Sequence, residues 1–208
     1  MSDPLPTVFL VDDEPSVLRA LDRLLRSAGL NVAAFASPQA FLDGHDPQAR
    51  GCLVLDVAMP GLDGLALHRA LGARDSPLPV IFLTGHGDIP MSVRALKQGA
   101  VDFLCKPVHD DDLLRAVHEA IEQDRLGRQA RREEADIRRR LATLTPRERE
   151  VLERVIAGRL NKQIAAELGT VEKTIKVHRA HVMEKMQVRS VAELVQLAAR
   201  AGVTAPQR

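Results

Sequence analysis

The stretch VFLVDD (residues 8–13) decides the fold of this chain. It joins four apolar residues to two acids, and a short apolar run of this kind predicts a strand buried in a parallel sheet. Three further runs have the same form, and the polar residues that end them are Asp56 after 52–55, Thr84 after 80–83 and Lys106 after 101–105. Ligands of open α/β sheets bind beyond the carboxyl ends of the strands. The sequence therefore predicts that acids, a hydroxyl and an ammonium group meet at one edge of a sheet.

Helical patterns alternate with these runs through residue 123. A fifth strand is predicted at Val32–Phe35, between the first helix and the second. Five strands that alternate with five helices predict a doubly wound, parallel five-stranded sheet of the α/β class. The predicted helices cover residues 14–28, a short segment from Pro38, 65–71, 88–98 and 110–123.

The last third of the chain has a purely helical pattern. Thr145 and Glu148 form a capping box with Pro146 at the first helical position, which is a strong signal for a helix start. Four helices are predicted, at residues 146–157, 161–168, 172–186 and 190–200. The second and third of them, joined by a short turn, suit a helix-turn-helix.

The segment between the two halves is unlike either of them. Residues 122–140 interleave seven arginines with five acids, which predicts a solvated helix or a semi-rigid linker. Ile137, Leu141 and Leu144 are spaced for a short helical seam with another helix. We therefore predict an α/β domain over residues 1–123, a helical linker over 124–140 and an all-α domain over 141–208.

Composition narrows the possible functions. The chain has five Phe but no Trp or Tyr, which argues against aromatic stacking on single-stranded nucleic acid. It has no signal peptide and no apolar run near the length of a membrane span, so we expect a cytoplasmic protein without a membrane partner. Cys52 and Cys105 lie within predicted strands and are expected to be buried free thiols.

Charge is divided unevenly along the chain. Residues 1–121 carry 10 basic and 16 acidic side chains, whereas residues 141–208 carry 12 basic and 7 acidic ones. A basic helical domain beside an acidic one predicts that the second domain faces a polyanion.

The residues at the strand ends suit phosphoryl transfer. Carboxylates at short range repel one another, so they either share protons or bind a hard cation such as Mg²⁺. A carboxylate can also act as a nucleophile and form an aspartyl phosphate, while a lysine neutralises the developing charge. Each residue has a plainer alternative, since a strand-end Asp can cap a helix, Thr84 can shape a turn and Lys106 can be a solvated loop residue. Their occurrence together at four strand ends favours chemistry.

The predicted helix 172–186 has two faces. Its apolar stripe, which should face the core, contains Ile175, His178, Val182 and Met186. Candidate contacts to DNA on the opposite side and its flank are Lys173, Lys176, Val177, Ala180 and Arg179, with Asn161 and Lys162 at the start of the preceding helix. Lysine can reach guanine or phosphate, and small apolar side chains can contact a thymine methyl group. The alternative is a solvated amphipathic helix with ordinary lysines.

The first half resembles the receiver domain of response regulators. The stretches that carry the resemblance are VFLVDDE, LVLDVAMPGLDG, VIFLTGHGD and AVDFLCKP. The resemblance implies a flavodoxin-like fold with Asp56 as the phosphoacceptor. It further implies Mg²⁺ ligation by Asp12, Asp13, Asp56 and the Ala58 carbonyl, phosphoryl contacts by Thr84 and Lys106, and a switch made by Thr84 and Phe103.

The second half is similar to the LuxR-type DNA-binding domain. The segment LTPREREVLERVIAGRLNKQIAAELGTVEKTIKVHRAHVMEKM carries this resemblance, and its ending is most similar to the FixJ branch. One departure is Val171, which stands where the family often has a capping Ser, so Thr170 is a candidate cap. The joint resemblance implies a non-enzymatic regulator that a sensor histidine kinase phosphorylates. Such a protein would dimerise, bind double-stranded promoter DNA, contact RNA polymerase and activate transcription.

Two other functions use the same residues. An aspartyl-phosphate phosphatase or phosphotransferase would use the same Asp and Mg²⁺, but it usually needs a general acid near the nucleophile. Asp56 is followed by Val57-Ala58, which provides no acid two residues on. An interaction adaptor, whose helical domain binds protein instead of DNA, is the third hypothesis.

Overall fold

The computed structural model describes residues 5–61, 63–73, 78–85 and 99–203. Its contacts divide the chain into two compact units, Met1–Arg128 and Gln129–Arg208. The three-part division of the chain drawn from the sequence stays a prediction. No helix within the described residues is long and apolar enough to cross a membrane.

A five-stranded parallel sheet forms the centre of the amino-terminal unit, as the sequence predicts. Its strands, in the spatial order β2-β1-β3-β4-β5, are β1 Thr7–Val11, β2 Asn31–Phe35, β3 Gly51–Asp56, β4 Val80–Thr84 and β5 Asp102–Cys105. Every residue of β3 and β4 is buried, because these central strands have layers packed on both faces. The register aligns Val11 with Leu55, Asp56 with Leu83 and Thr84 with Cys105. The polar strand ends therefore reach the same edge.

Helices cover both faces of this sheet. The first three are α1 Pro15–Ser27, α2 Pro38–Gly44 and α3 Gly64–Ala73. One core packs Phe9, Phe41 and Phe82 together, and the other contains Leu25 and Leu113 among its buried residues. The helix predicted over residues 88–98 lies outside the described residues.

The two cysteines differ in exposure. Cys52 is buried in β3, as predicted, but the expectation for Cys105 is wrong because this residue is exposed. Cys105 ends β5, which is the last strand in the sheet order and pairs only with β4 among the described strands. An edge position leaves the end of a strand uncovered on one side.

A single helix, α4 Asp110–Ala142, contains both the last predicted helix of the first domain and the predicted linker. The linker is therefore helical. Ile137 and Leu141, near its end, pack with Leu144 in the core of the carboxy-terminal unit. These residues are thus part of a domain core and do not form a seam on the linker surface.

The carboxy-terminal unit is helical. Besides the end of α4 it contains α5 Pro146–Ile156, α6 Asn161–Glu167, α7 Glu172–Met186 and α8 Val191–Arg200. The predicted capping box is present, since the Thr145 side chain accepts from the Glu148 N–H and the Glu148 carboxylate accepts from the Thr145 N–H. The predicted core stripe of α7 is confirmed at Ile175, Val182 and Met186, which are fully buried.

Candidate functional site

Three carboxylates meet at the carboxyl edge of the sheet. Asp12 and Asp13 follow β1, Asp56 ends β3, and one oxygen from each lies within 4.8 Å of the others. Asp12 and Asp56 are buried, whereas Asp13 is more open to solvent. Hard divalent cations take oxygen ligands of this kind and keep part of their water shell. A site with two buried carboxylates and one reachable from solvent fits such a cation.

Lys106 partly neutralises the cluster. Its Nζ lies 2.6 Å from Asp12 Oδ2 and 3.3 Å from Asp56 Oδ1. Burial alone would lower the pKa of Lys106, but its hydrogen bond to Asp12 and the charges of Asp12 and Asp56 outweigh burial and raise the pKa. The side chain therefore stays an ammonium ion at neutral pH.

The Asp56 carboxylate lies in an unfavourable environment for its charge. Burial raises its pKa most and the charge of Asp12 raises it further, while the ammonium of Lys106 and the backbone N–H of Ala58 oppose the rise. A carboxylate whose pKa is raised is more basic and hence a better nucleophile than a solvated one. Asp56 thus combines a raised pKa with an ammonium group 3.3 Å away.

The remaining strand-end residues lie beside this cluster. Thr84 is buried at the end of β4, and its carbonyl accepts from the Lys106 N–H at 2.7 Å. This bond holds the start of the Lys106 loop against the strand end. Phe103 lies half-buried in β5 with its ring centroid 6.1 Å from that of Phe82. The structure thus brings Asp12, Asp13, Asp56, Thr84 and Lys106 to one edge, with Phe103 on the neighbouring strand.

The turn before α1 and the acid cluster share one residue. Asp12 accepts from the Glu14 N–H at 2.9 Å through Oδ1, while its other oxygen bonds Lys106. Glu14 is the N-cap of α1 and this helix has no side-chain cap, so Asp12 shapes the preceding turn and is not a helix cap. Asp63, by contrast, accepts from the Ala66 N–H at the start of α3 and is exposed, so it is an ordinary helix cap.

The outer face of α7 is exposed, as the two-faced pattern predicts. Lys173, Lys176, Val177 and Ala180 all lie at the surface, opposite the buried stripe. Val177 exposes 48 % of its surface. Lys162 is exposed in the first turn of α6. This face combines cations with small apolar groups, which suits the major groove of DNA.

Arg179 is held more tightly than a solvated flank residue. It is half-buried, and its Nη1 donates to Asn161 Oδ1 at 3.1 Å. This bond links the middle of α7 to the first turn of α6. The two residues therefore act as one group at the junction of the two helices.

Comparisons with known proteins agree with both halves of this description. The response regulator receiver domain matches residues 8–118, and the luxR family of bacterial regulatory proteins matches residues 142–198. The chain is 49 % identical to nodulation protein W of Bradyrhizobium diazoefficiens over 95 % of this chain and 87 % of that protein. It is 47 % identical to transcriptional regulatory protein FixJ of the same organism, over 94 % of this chain and 96 % of that protein.

A solved structure extends this likeness to nearly the whole chain. The structure of response regulator StyR matches with a TM-score of 0.85 and 46 % identity, over 95 % of this chain and all of that one. The chain belongs to the response regulator family. It is a two-component response regulator of the FixJ class with a receiver domain and a LuxR-type DNA-binding domain, and it regulates transcription. Membership in these families supports neither of the two alternative functions, an aspartyl-phosphate phosphatase or phosphotransferase and a protein-interaction adaptor.

One residue of the LuxR-type domain has a larger role than its sequence pattern indicates. Glu148 is buried, and besides the capping box it accepts from Lys185 Nζ of α7 at 2.6 Å. The hydrogen bond from Lys185 lowers the pKa of Glu148 most, and those from Thr145 add to it, so that the pKa is about 2. Glu148 thus ties the start of α5 to the end of the helix predicted to read DNA. The capping-box pattern in the sequence predicts the capping role of Glu148, but it does not predict the hydrogen bond from Lys185.

The start of α7 lacks a side-chain cap. Val171 is the N-cap and makes no side-chain hydrogen bond to the helix, and it exposes 65 % of its surface. The helix begins at Glu172, so the cap position falls on Val171 and not on Thr170. The first turn, which carries Lys173, therefore depends on packing and on the backbone for its position.

Proposed function

We propose that phosphorylation of Asp56 by a sensor histidine kinase switches this response regulator, and that the phosphorylated form binds promoter DNA as a homodimer and activates transcription. The observation that carries the proposal is the position of Asp56, buried at the end of β3 with an ammonium group 3.3 Å away and two further carboxylates beside it. This arrangement provides a nucleophile, a neutralising cation and ligands for a metal ion.

The chemistry follows from these residues. An Asp56 oxygen attacks the phosphorus of a phosphohistidine whose other ring nitrogen is protonated. The P–N bond breaks with its electron pair going to the ring, so imidazole leaves as a neutral group. The carboxylates of Asp12, Asp13 and Asp56 and the Ala58 carbonyl would hold Mg²⁺, which would neutralise charge on the phosphoryl oxygens. Lys106 then exchanges its bond to the Asp56 carboxylate for one to a phosphoryl oxygen.

The switch is proposed to run from Thr84 to Phe103. The Thr84 hydroxyl donates to a phosphoryl oxygen, and Phe103 moves inward from its half-buried position into the space that Thr84 leaves. This movement reshapes the face made by the predicted helix over residues 88–98, by β5 and by residues 110–123 of α4, where a second copy of the chain binds. Dimerisation places two LuxR-type domains on two half-sites, so the affinity for DNA rises by avidity.

The outer face of α7 is proposed to lie in the major groove. Lys173 and Lys176 reach base edges or phosphates, and Val177 and Ala180 pack against thymine methyl groups. The linked pair Asn161 and Arg179, together with Lys162, contacts the phosphate backbone at the start of α6. RNA polymerase is the further partner that activation requires.

The experiment follows phosphoryl uptake by intact mass. The full chain is incubated with acetyl phosphate in the presence and absence of Mg²⁺, and uptake is compared for Asp56→Asn and Asp63→Asn. The second variant makes the same chemical change at an exposed helix cap outside the cluster. We expect one phosphoryl group on the wild type and on Asp63→Asn, only with Mg²⁺, and none on Asp56→Asn. Undiminished uptake by Asp56→Asn would overturn the assignment.

A further inference from the structure

The middle of α4 contains one buried residue, and that residue is charged. From Glu122 to Asp136 every side chain except Asp124 is exposed or half-exposed, and Leu126 exposes 52 % of its surface. A helix segment without a buried apolar face has little to hold it against a domain. The burial of Asp124 therefore needs an explanation, because an ionised carboxylate is buried only when it is paired and hydrogen-bonded.

Asp124 is fully paired within the receiver domain. Its carboxylate accepts from the Gly51 N–H at 3.0 Å and from Arg128 Nε at 2.7 and 2.9 Å. Gly51 is the first residue of β3, so the acid joins the helix to the beginning of a central strand. Charge-assisted bonds of this kind are stronger and more directional than neutral ones.

Arg128 extends the connection to the loop that leads into β3. Its Nη1 donates to the Gln48 carbonyl at 3.0 Å and its Nη2 donates to the Ala49 carbonyl. The side chain exposes only 13 % of its surface. One planar guanidinium thus bonds a carboxylate and two backbone carbonyls at once, which a lysine cannot reproduce.

The backbone that receives these bonds is rigid. Gly51 has φ +132°, and a Cβ there would lie 1.8 Å from the Thr7 carbonyl oxygen. This close approach, with the Thr7 N–H bonded to the Arg50 carbonyl at 2.8 Å, fixes the loop against β1. The same strand carries Asp56 at its other end, roughly 17 Å away at about 3.3 Å per residue.

After Arg128, the side chains of α4 are exposed or only partly buried until Ile137. From Gln129 to Asp136 no side chain is buried, and Glu133 accepts from its helix neighbour Gln129 and from Arg200 of the carboxy-terminal unit. Burial returns at Ile137, in the core of the LuxR-type domain. The bonds of Asp124 and Arg128 therefore hold α4 to the receiver domain close to the boundary between the two units, which falls after Arg128.

We propose that Asp124 and Arg128 are positioning residues that fix the direction and rotation of α4 where it leaves the receiver domain. This inference rests on the proposed function, because it holds that control of DNA binding by phosphorylation needs this anchor. A change in the receiver domain can bias the second domain through an element with a defined orientation. Without the anchor, this part of α4 loosens from the start of β3, and the two domains respond more independently.

The test compares Arg128→Ala and Arg128→Lys with Arg125→Ala in the full chain. A lysine at position 128 keeps a positive charge beside Asp124, so the buried carboxylate stays paired and the domain is expected to fold. It lacks the planar guanidinium, so the contacts to the Gln48 and Ala49 carbonyls are lost. Arg125 lies one turn earlier, is exposed and bonds only Glu122 among the described residues, which makes it a matched control. Intact-mass phosphorylation reports whether each receiver domain is folded and active.

Two quantities are measured. The first is hydrogen exchange of the amides from Arg125 to Arg132, and the second is the factor by which phosphorylation raises affinity for a DNA fragment. Such coupling factors are typically about 5–150-fold. Both Arg128 variants are expected to take up phosphate at the wild-type rate, to exchange these amides at least tenfold faster, and to lose most of the coupling factor. Arg125→Ala should match the wild type in all three.

The outcomes separate the two proposals. If both Arg128 variants keep the wild-type exchange rates, or keep the full coupling factor, the anchor has no positioning role and the inference is wrong, while the proposed function stands. If phosphorylation changes DNA affinity in none of the proteins, including the wild type, the proposed function fails. In that case, faster hydrogen exchange in the Arg128 variants but not in Arg125→Ala would show that Arg128 holds α4 in place. The proposed role of Arg128 in the control of DNA binding would be wrong.

Discussion

At the scale of single residues, the two domains use buried charge in different ways. In the receiver domain Lys106 bonds two carboxylates whose arrangement can also accept a cation, so the charge distribution of the site can change. In the LuxR-type domain the Glu148 carboxylate accepts from Lys185 and from the Thr145 N–H, so its charge has fixed partners. The first arrangement suits a site that reacts, and the second suits a structural bond.

The buried glutamate predicts a specific dependence of stability on pH. The pKa of Glu148 is about 2 in the folded state, below its ordinary value of 4.5. Its contribution to stability is therefore complete above about pH 4.5 and is lost as the pH falls towards 2. We expect Glu148→Gln to reduce the unfolding free energy of the LuxR-type domain by about 1–3 kcal/mol at pH 7, and to flatten the loss of stability in acid.

Hydrogen exchange of α5 and α7 amides at several pH values measures this effect. Glu184→Gln is the control, since it lies next to Lys185 on the same helix but is exposed. The control should keep the acid dependence of the wild type. An acid dependence in Glu148→Gln as steep as that of the wild type would show that another group causes it.

The strand-end residues could be predicted from sequence, whereas Asp124 could not. Apolar runs place their last residues at one edge of a parallel sheet, so Asp56, Thr84 and Lys106 follow from the pattern alone. Asp124 lies in a segment of alternating charges, and nothing local distinguishes it from its exposed neighbours. Its burial comes from Gly51, which is distant in the chain, and no periodicity encodes that contact.

At the scale of secondary-structure elements, α7 has a weak start. Its N-cap is Val171, which cannot accept the hydrogen bonds of the first turn, and a missing cap typically costs about 1 kcal/mol. We expect Val171→Ser to stabilise the LuxR-type domain by about 0.5–1 kcal/mol. Thermal unfolding followed by circular dichroism, together with exchange of the first α7 amides, measures the gain.

The control for this change is Val177→Ser. It makes the same substitution in the exposed middle of α7, where a hydroxyl caps nothing and the helix propensities of the two residues are similar. This control should leave stability nearly unchanged. Equal effects of the two variants would mean that capping is not the cause.

The sequence patterns predict most of the helices and strands correctly. They do not predict whether Ile137 and Leu141 lie in a domain core or whether Cys105 is exposed. The strands and the helices of the LuxR-type domain follow from apolar periodicity and caps, and the charged segment 122–140 lies in a helix, which is one of the two forms that its sequence predicts. Ile137 and Leu141 have a spacing that suits a seam as well as a domain core, and only the tertiary fold decides between these. Cys105 lies in an apolar run, but its exposure depends on the position of β5 at the edge.

At the scale of the whole molecule, the basic LuxR-type domain and the acidic receiver domain make different contributions to DNA binding. A basic domain attracts DNA of any sequence in a salt-dependent manner, so charge alone gives binding without control. Control of DNA binding needs a second contribution to the affinity, one that depends on phosphorylation. Pairing of two chains after modification of Asp56 is expected to provide it. An affinity measured at one salt concentration cannot separate the two contributions.

The measurement that tests this account most directly is the affinity of the full chain for promoter DNA, with and without acetyl phosphate and Mg²⁺, for the wild type and Asp56→Asn at several salt concentrations. Phosphorylation is expected to raise the affinity of the wild type by at least fivefold at each salt concentration, together with dimerisation. Asp56→Asn is expected to keep only the weak, salt-dependent affinity of the unphosphorylated protein. An equal rise in the affinity of Asp56→Asn would contradict the account.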